Sequence, residues 1–273
     1  MFRVETYAEV HTFVRAFVDD HINTLVICSA GGLGKSEEVK RATANHDVVR
    51  IGGWVTPLGL YERLYRGRDK KVIFDEIDGL LGDPKHVGLL KQVCETRDTK
   101  TIMWASKDRR AEEIDGGAGS FTTNSHVLIL CNSFTALSAN IAALKTRAMV
   151  VQFAPPAHEV LAKTKTFAHD AEIVAFLEQF HEHLPELTLR TYRMLEELKA
   201  AGMDWRRYAL DESNMPPKVL EIADLLVRYT TDTERLKHYS GSRRDYYNWK
   251  PQAEAYVRRQ AGRRLCDGLR DAG

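Results

Sequence analysis

Residues 29–36, SAGGLGKS, have the types and spacing that hold the phosphates of a nucleotide. Backbone N–H groups of a glycine-rich turn can converge on a polyphosphate, and the positive end of a following helix adds to the attraction. In such a loop Lys35 would contact the β- and γ-phosphates and the Ser36 hydroxyl would ligate Mg²⁺. The pattern G-x-x-x-x-G-K-[ST] has glycine where this chain has Ser29, a small residue that is tolerated if its φ is negative. The predicted ATP-binding residues are Ala30, Gly31, Gly32, Leu33, Gly34, Lys35 and Ser36.

The segments on either side of this loop supply the elements that must position it. TLVICS, before the loop, is a short apolar and β-branched run typical of a strand buried on both faces, and SEEVKRATA, after it, has the composition of a helix. Strand, glycine turn and helix are the context in which the motif binds phosphate. We therefore expect a parallel α/β sheet with the loop at the carboxyl end of a strand.

A second candidate strand, KKVIFDEID at residues 70–78, ends in adjacent carboxylates. The carboxyl end of such a strand emerges beside the phosphate site of a parallel sheet. Asp75 is then placed to hold Mg²⁺, and Glu76 to orient and deprotonate the attacking water, as hydrolysis requires. The alternative is that these are surface acids at the end of a strand.

A third apolar run, SHVLILCNS at residues 125–133, leads to Asn132. An amide at this strand end can hydrogen-bond both a γ-phosphate and the attacking water, which would orient the nucleophile. Asparagine is also common in turns, so this residue gains weight from its agreement with the other two motifs.

The order of these motifs, followed by NIAALKTRAMVVQF, resembles the AAA+ ATPase superfamily over roughly residues 20–200. The resemblance implies a P-loop parallel-sheet core with a small C-terminal helical lid, and a ring or spiral homo-oligomer with ATP between subunits. It also implies that Arg147 is an arginine finger for a neighbour's γ-phosphate and that Arg190, in LTLRTY, contacts the nucleotide from the same chain. An L-x-R-P-G-R type segment with a second arginine is absent from residues 132–150, unlike in typical protein-unfolding members.

The segment KTIMWASKDRRAEEIDGGAGSFTTNS precedes the strand that leads to Asn132. It resembles the hairpin insertion of an AAA+ branch that includes viral and replicative helicases, where the hairpin faces the pore. Lys107, Arg109 and Arg110 would then be available to nucleic-acid phosphates, and Trp104 or Phe121 would either stack on bases or pack in the core. Acidic residues follow the cations at once, so a solvated loop is the alternative.

The bulk composition is that of a soluble, cytoplasmic protein. The chain has 273 residues, of which 44% are hydrophobic and 28% charged, and no apolar run approaches the ~18 residues of a membrane span. Its four cysteines are scattered without metal-ligand spacing, which favours buried thiols over zinc or disulfides. From Arg235 onward ten basic residues oppose four acidic ones, and Arg243 and Arg244 stand beside tyrosines. This tail suits a nucleic-acid contact or a subunit-docking helix.

We expect three regions: an AAA+-like ATP-binding core at 1–155, a helical lid at 156–234 and a basic aromatic tail at 235–273. The predicted function is Mg²⁺-dependent ATP hydrolysis by an oligomer that works as a nucleic-acid motor, helicase or loader of a phage or mobile element. Two alternatives remain open: an ATP-controlled scaffold that polymerises on DNA and recruits partners, and a protein-remodelling ATPase. The last would carry an exposed aromatic–apolar pair in its pore loop instead of cations.

Overall fold

A computed structural model of the protein describes residues 1–76, 80, 82–104, 109–132, 146–181, 184, 187–209 and 217–270. The chain divides into two compact units, Met1–Glu159 and Val160–Gly273. No helix within the described residues is long and apolar enough to cross a membrane.

The described strands all belong to the first unit. In chain order they are β1 (Phe2–Val4), β2 (Thr24–Cys28), β3 (Val48–Gly52), β4 (Lys71–Asp75), β5 (Lys100–Met103), β6 (Ser120–Thr123), β7 (Val127–Cys131) and β8 (Met149–Phe153).

The described helices alternate with the strands and then make up the second unit. In chain order they are α1 (Tyr7–Val18), α2 (Lys35–Ala42), α3 (Pro57–Arg66), α4 (Pro84–Val93), α5 (Arg109–Asp115), α6 (Ala157–Lys165), α7 (Ala171–Phe180), α8 (Leu189–Ala200), α9 (Trp205–Ala209), α10 (Pro217–Arg228), α11 (Asp232–His238) and α12 (Arg243–Arg270).

Six of these strands form one sheet in the order β1-β8-β2-β7-β4-β3, and every neighbouring pair is parallel. Every residue of the central strands β2 and β7 is buried, which explains their continuous apolar sequences, since helices cover both faces of a parallel sheet. Cys28 pairs with Cys131, and Asp75 with Leu130, so β2, β4 and β7 end at one edge. The α/β fold predicted from the sequence is confirmed.

The remaining strands, β5 and β6, form a separate antiparallel pair in which Lys100 lies opposite Thr123. Helix α5 lies between them in the sequence. The predicted hairpin-like insertion is therefore present as a small two-stranded sheet. Phe121 is 8% exposed, and Trp104 stacks on buried Tyr61 with ring centroids 6.0 Å apart, so both aromatic side chains contribute to core packing.

The described part of the second unit is helical and has two apolar clusters. One is formed by α6 to α9 around Tyr192 and Phe176, and the other by α10 to α12 around Ile222 and Tyr246. Helix α8 starts with a capping box in which the Thr188 hydroxyl accepts from the backbone N–H of Thr191. The aromatic–basic tail is mainly one helix, α12, and Tyr246 within it is fully buried.

Candidate nucleotide-binding site

The phosphate-loop sequence lies between β2 and α2, as its flanks predict. Gly32 and Gly34 have φ values of 77° and 80°, in the left-handed region that favours glycine, whereas the φ of Ser29 is not positive. Serine is therefore compatible with the entry of the turn. A Cβ added at Gly31 would meet no protein atom within 4 Å, so the backbone of the loop borders open space. These features fit a loop whose N–H groups approach a bound anion.

Lys35 is the first residue of α2, and its ammonium group lies inside the loop. Its Nζ donates to the carbonyl oxygens of Ser29 at 2.8 Å and Ala30 at 3.0 Å, and to Oδ1 of Asn132 at 3.2 Å. Only 8% of the residue is exposed. A buried ammonium beside a helix N-terminus makes this end of the loop strongly attractive to phosphate oxygens.

Ser36 and Asp75 come together from the start of α2 and the end of β4. The Ser36 hydroxyl donates to Oδ1 of Asp75 at 2.9 Å. A hydroxyl and a carboxylate are oxygen donors of the kind that Mg²⁺ prefers, with water and phosphate oxygens as the remaining ligands. Among the described residues no three His, Cys, Asp or Glu side chains form a metal cluster, so this pair is the donor set the structure offers for the predicted ion.

Glu76 follows directly after β4 and has an unusual backbone. Its φ is 59°, one of three positive values among the described non-glycine residues, and its side chain is exposed. Left-handed backbone strains a residue that has a Cβ, and such strain is often found at functional positions. Asn132 follows β7 at the same edge. The structure thus groups Lys35, Ser36, Asp75 and Asn132 through hydrogen bonds, with Glu76 next to Asp75.

Arg147 lies at the amino edge of the sheet, where the parallel strands begin, opposite the carboxyl edge where β2, β4 and β7 end. It stands two residues before β8, whose first residue, Met149, pairs with Leu25 near the start of β2. Its Nη1 donates to the carbonyl oxygen of Lys91 at 3.1 Å, and its Nη2 lies 3.6 Å from Oε2 of Glu95. The five residues of β2 separate this edge from the loop by about 15 Å at ~3.3 Å per residue. Arg147 is therefore not part of the cluster around Lys35 in its own chain.

The other predicted contact residues are distributed over both units. Arg190 is exposed in the first turn of α8, within the second unit. Arg110 is exposed on α5, Arg109 begins that helix, and Lys107 lies outside the described residues. Arg243 and Arg244 are exposed at the start of α12, and the Arg243 guanidinium lies 6.0 Å from the centre of the Tyr247 ring.

The structure also shows a residue that the motif analysis missed. Trp54 is 86% exposed in the loop between β3, an edge strand, and α3. Gly53 before it has a φ of 68°, whereas Val55 after it is buried. An exposed tryptophan is unusual, since large aromatic side chains supply much of the energy of interfaces. The signal in the sequence is GGWV, a glycine pair and an aromatic residue directly after a strand.

Comparison with known proteins shows a likeness in fold. No family model matches the chain, and no curated protein matches it in sequence. A solved structure that is similar is a proline-to-glycine mutant of RuvB from Thermotoga maritima, with a TM-score of 0.50 and 13% sequence identity. The match covers 80% of this chain and 75% of that one. This likeness agrees with the parallel-sheet α/β fold that the sequence predicts, and at this identity it concerns the fold alone.

Proposed function

We propose that the protein is a cytoplasmic, Mg²⁺-dependent ATP hydrolase of the AAA+ type. The observation that supports this most is the pair of hydrogen bonds, from Lys35 to Asn132 and from Ser36 to Asp75, at the carboxyl edge of the sheet. Four residue types that serve phosphoryl transfer reach this place from β2–α2, β4 and β7. Lys35 and Ser36 are adjacent, but Asp75 and Asn132 follow two other strands far along the chain, so a chance grouping of the four would be unusual.

Each side chain has a distinct task in this proposal. Lys35 neutralises phosphate oxygens, Glu76 orients the attacking water and removes its proton, and Asn132 holds that water in line. Ser36 and Asp75 would hold Mg²⁺, which when bound neutralises charge on the phosphates. Arg190 would contact the nucleotide from the same chain.

The proposed site is tested by two variants with opposite effects. Lys35→Ala removes the cation that faces the phosphates and should abolish ATP binding. Glu76→Gln should retain binding and lose hydrolysis, since the amide keeps the shape of the side chain but cannot accept the proton. Nucleotide titration and phosphate release measure the two properties. Equal loss of binding in both variants would refute these roles.

We further propose that the protein acts as a homo-oligomer in which Arg147 serves the site of a neighbouring subunit. Its position at the opposite edge from Lys35 supports a role between chains, since it is too far away to stabilise charge in its own pocket. A guanidinium in this role accelerates hydrolysis by about 10³- to 10⁵-fold in related chemistry. Mixing Arg147→Ala subunits with Glu76→Gln subunits should restore activity at mixed interfaces. No recovery at any ratio would count against a shared site.

For the biological role we propose a nucleic-acid-associated motor, helicase or loader, with the cations Lys107, Arg109 and Arg110 and the α12 residues Arg243 and Arg244 as contacts. A DNA-bound scaffold that recruits partners uses the same cations, with slow hydrolysis as a timer. The ATPase rate with single-stranded DNA, double-stranded DNA or RNA, across protein concentration and salt, tests the role. Stimulation by one polymer that rises steeply with protein concentration supports it. Indifference to all three points to a protein client.

One observation favours a different candidate function, that of a protein-remodelling ATPase. Trp54 presents a large apolar surface that an extended polypeptide could contact, although Val55 is buried, so the exposed aromatic–apolar pair expected for this class is only half present. Tryptophan also stacks on bases. The polymer that Trp54 contacts therefore distinguishes the two functions.

A further inference from the structure

Arg147 is held at the amino edge of the sheet by contacts with Lys91 and Glu95. The carbonyl of Lys91 belongs to the last turn of α4, where the helix dipole favours a cation. The Glu95 carboxylate adds a negative charge next to the same guanidinium. The side chains of Arg147 and Glu95 remain 33% and 36% exposed. The arginine is thus held on one side and accessible on the other.

Glu95 itself is fixed by contacts to the first unit's interior. The Asn23 side chain donates to the Glu95 carbonyl at 3.3 Å, and Oδ1 of Asn23 accepts from buried Lys100 at 2.6 Å. Lys100 also donates to the Ser125 carbonyl. The Thr96 N–H donates to the Glu95 carboxylate at 3.0 Å, and it is the main cause that lowers the pKa of that carboxyl. Glu95 is therefore charged at neutral pH and tied to the starts of β2 and β5.

We propose that Glu95 is a positioning residue for Arg147, which it orients for the γ-phosphate of the neighbouring subunit. This inference rests on the proposed role of Arg147 between subunits. A guanidinium has five N–H donors, so donors remain for phosphate oxygens while others keep their contacts with Lys91 and Glu95. A flexible arginine would have to be ordered during each turnover, whereas a held one is ready.

The test uses Glu95→Ala, which leaves the arginine but removes the charge that orients it. We expect kcat for ATP to fall about tenfold at saturating protein, with an unchanged KM, because the variant's own nucleotide pocket is intact. The matched control is Glu62→Ala, which breaks a 2.6 Å ion pair with Arg66 on α3 and removes a carboxylate of equal exposure, 36%. Glu62→Ala should keep the parent rate. Glu95→Gln, of the same volume, serves if the alanine variant does not fold.

Mixing Glu95→Ala subunits with Glu76→Gln subunits distinguishes a positioning role of Glu95 from a structural role. Glu76→Gln subunits cannot hydrolyse ATP but carry an oriented Arg147, so added in excess they should restore the rate of each Glu95→Ala subunit. A structural defect within the Glu95→Ala subunit would not be repaired by its neighbour. A kcat equal to that of Glu62→Ala, or a loss that mixing does not repair, would overturn the proposal.

The same experiment tells this inference apart from the proposed function. If Arg147→Ala loses activity and is repaired by mixing while Glu95→Ala behaves as the parent, the shared site stands and the positioning role of Glu95 is wrong. If Arg147→Ala hydrolyses ATP at the parent rate, the role of Arg147 between subunits fails and the inference about Glu95 fails with it.

Discussion

The backbone conformation of Glu76 predicts that one substitution there raises stability while it removes activity. Its φ of 59° places a residue with a Cβ in the left-handed region, at a cost of roughly 1–2 kcal/mol. Glycine takes this conformation without that penalty, but it makes the unfolded chain more flexible, which offsets about 0.4–1 kcal/mol. Glu76→Gly should therefore stabilise the first unit by roughly 0.5–1 kcal/mol while it abolishes hydrolysis.

The Glu76 side chain contributes little to the stability of the folded state. Glu76 is exposed, and within the described residues no hydrogen bond or ion pair to its carboxylate is formed, so its removal breaks no contact there. The two other left-handed non-glycine residues differ in this respect. Asp20 pairs with Lys71 at 2.6 Å, and Asp69 accepts from the Asn124 N–H at 3.0 Å, so glycine at either position would also remove a contact.

The assay is thermal and urea unfolding of the full chain for the parent, Glu76→Gly and Glu76→Gln. A gain of this size raises Tm by about 2 °C for a unit of roughly 150 residues. Glu76→Gln is the matched control because it removes the charge and the activity but keeps the Cβ and its strain. A rise in both variants would assign the effect to lost charge. No rise in Glu76→Gly, or a fall, would refute strain at this position.

Three further predictions address the loop, the second unit and the exposed aromatic residue. Ser29→Gly restores the consensus but should leave ATP affinity unchanged, since Lys35 bonds the carbonyl of Ser29; a tenfold change in a nucleotide titration would contradict this. The pKa of Asp232 is lowered to about 2, mainly by Lys250, so its contribution to stability is present above about pH 4 and lost as the pH falls towards 2. Asp232→Asn should flatten the pH dependence of the second unit's urea midpoint over that range, and an unaltered dependence would refute the pairing. Trp54→Ala should leave unfolding unchanged, because the side chain is 86% exposed, and should reduce stimulation of the ATPase by the polymer the protein acts on; full stimulation would exclude Trp54 as a contact.

The contribution of the tail to nucleic-acid binding is better tested by point substitutions than by truncation. Removal of residues 243–273 would delete Tyr246 and Ala253, both fully buried in the apolar cluster of α10 to α12. Such a truncation would unfold this part of the second unit. Charge removal at exposed Arg243 and Arg244 is the cleaner change, and each lost phosphate contact should reduce the slope of log affinity against log salt by about 1.

The sequence predicts the local features of this chain well because each depends on neighbouring residues. The apolar runs of β2, β4 and β7 specify buried strands, and the glycines of SAGGLGKS specify the turn. Parallel pairing then brings the ends of those strands to one edge, so grouping of Asp75 and Asn132 with Lys35 follows from topology. Strand β1 is not predicted because it has three residues of which one, Val4, is buried, too few to show a pattern.

The features that sequence reasoning misses are those that join distant positions. Glu95 and Arg147 are 52 residues apart, and neither has a periodicity that points to the other. In the sequence Lys100 is an ordinary charged residue at the start of an apolar run, yet it is 1% exposed, and Asn23 and Ser125 accept hydrogen bonds from its ammonium group. Burial lowers the pKa of Lys100, and the residues next to it in the sequence do not indicate that it is buried.

The two edges of the sheet therefore carry complementary chemistry. The carboxyl edge brings together the cation and the oxygen ligands that suit a nucleotide. At the amino edge, Arg147 is held by the end of α4 and by Glu95. A single chain cannot bring these edges together, because the strands β2 and β7 run from one edge to the other and their length separates the two. Two chains can, if the amino edge of one faces the carboxyl edge of the next. In the proposed oligomer such a contact would join two different surfaces, so it would repeat from subunit to subunit and generate a ring or a spiral.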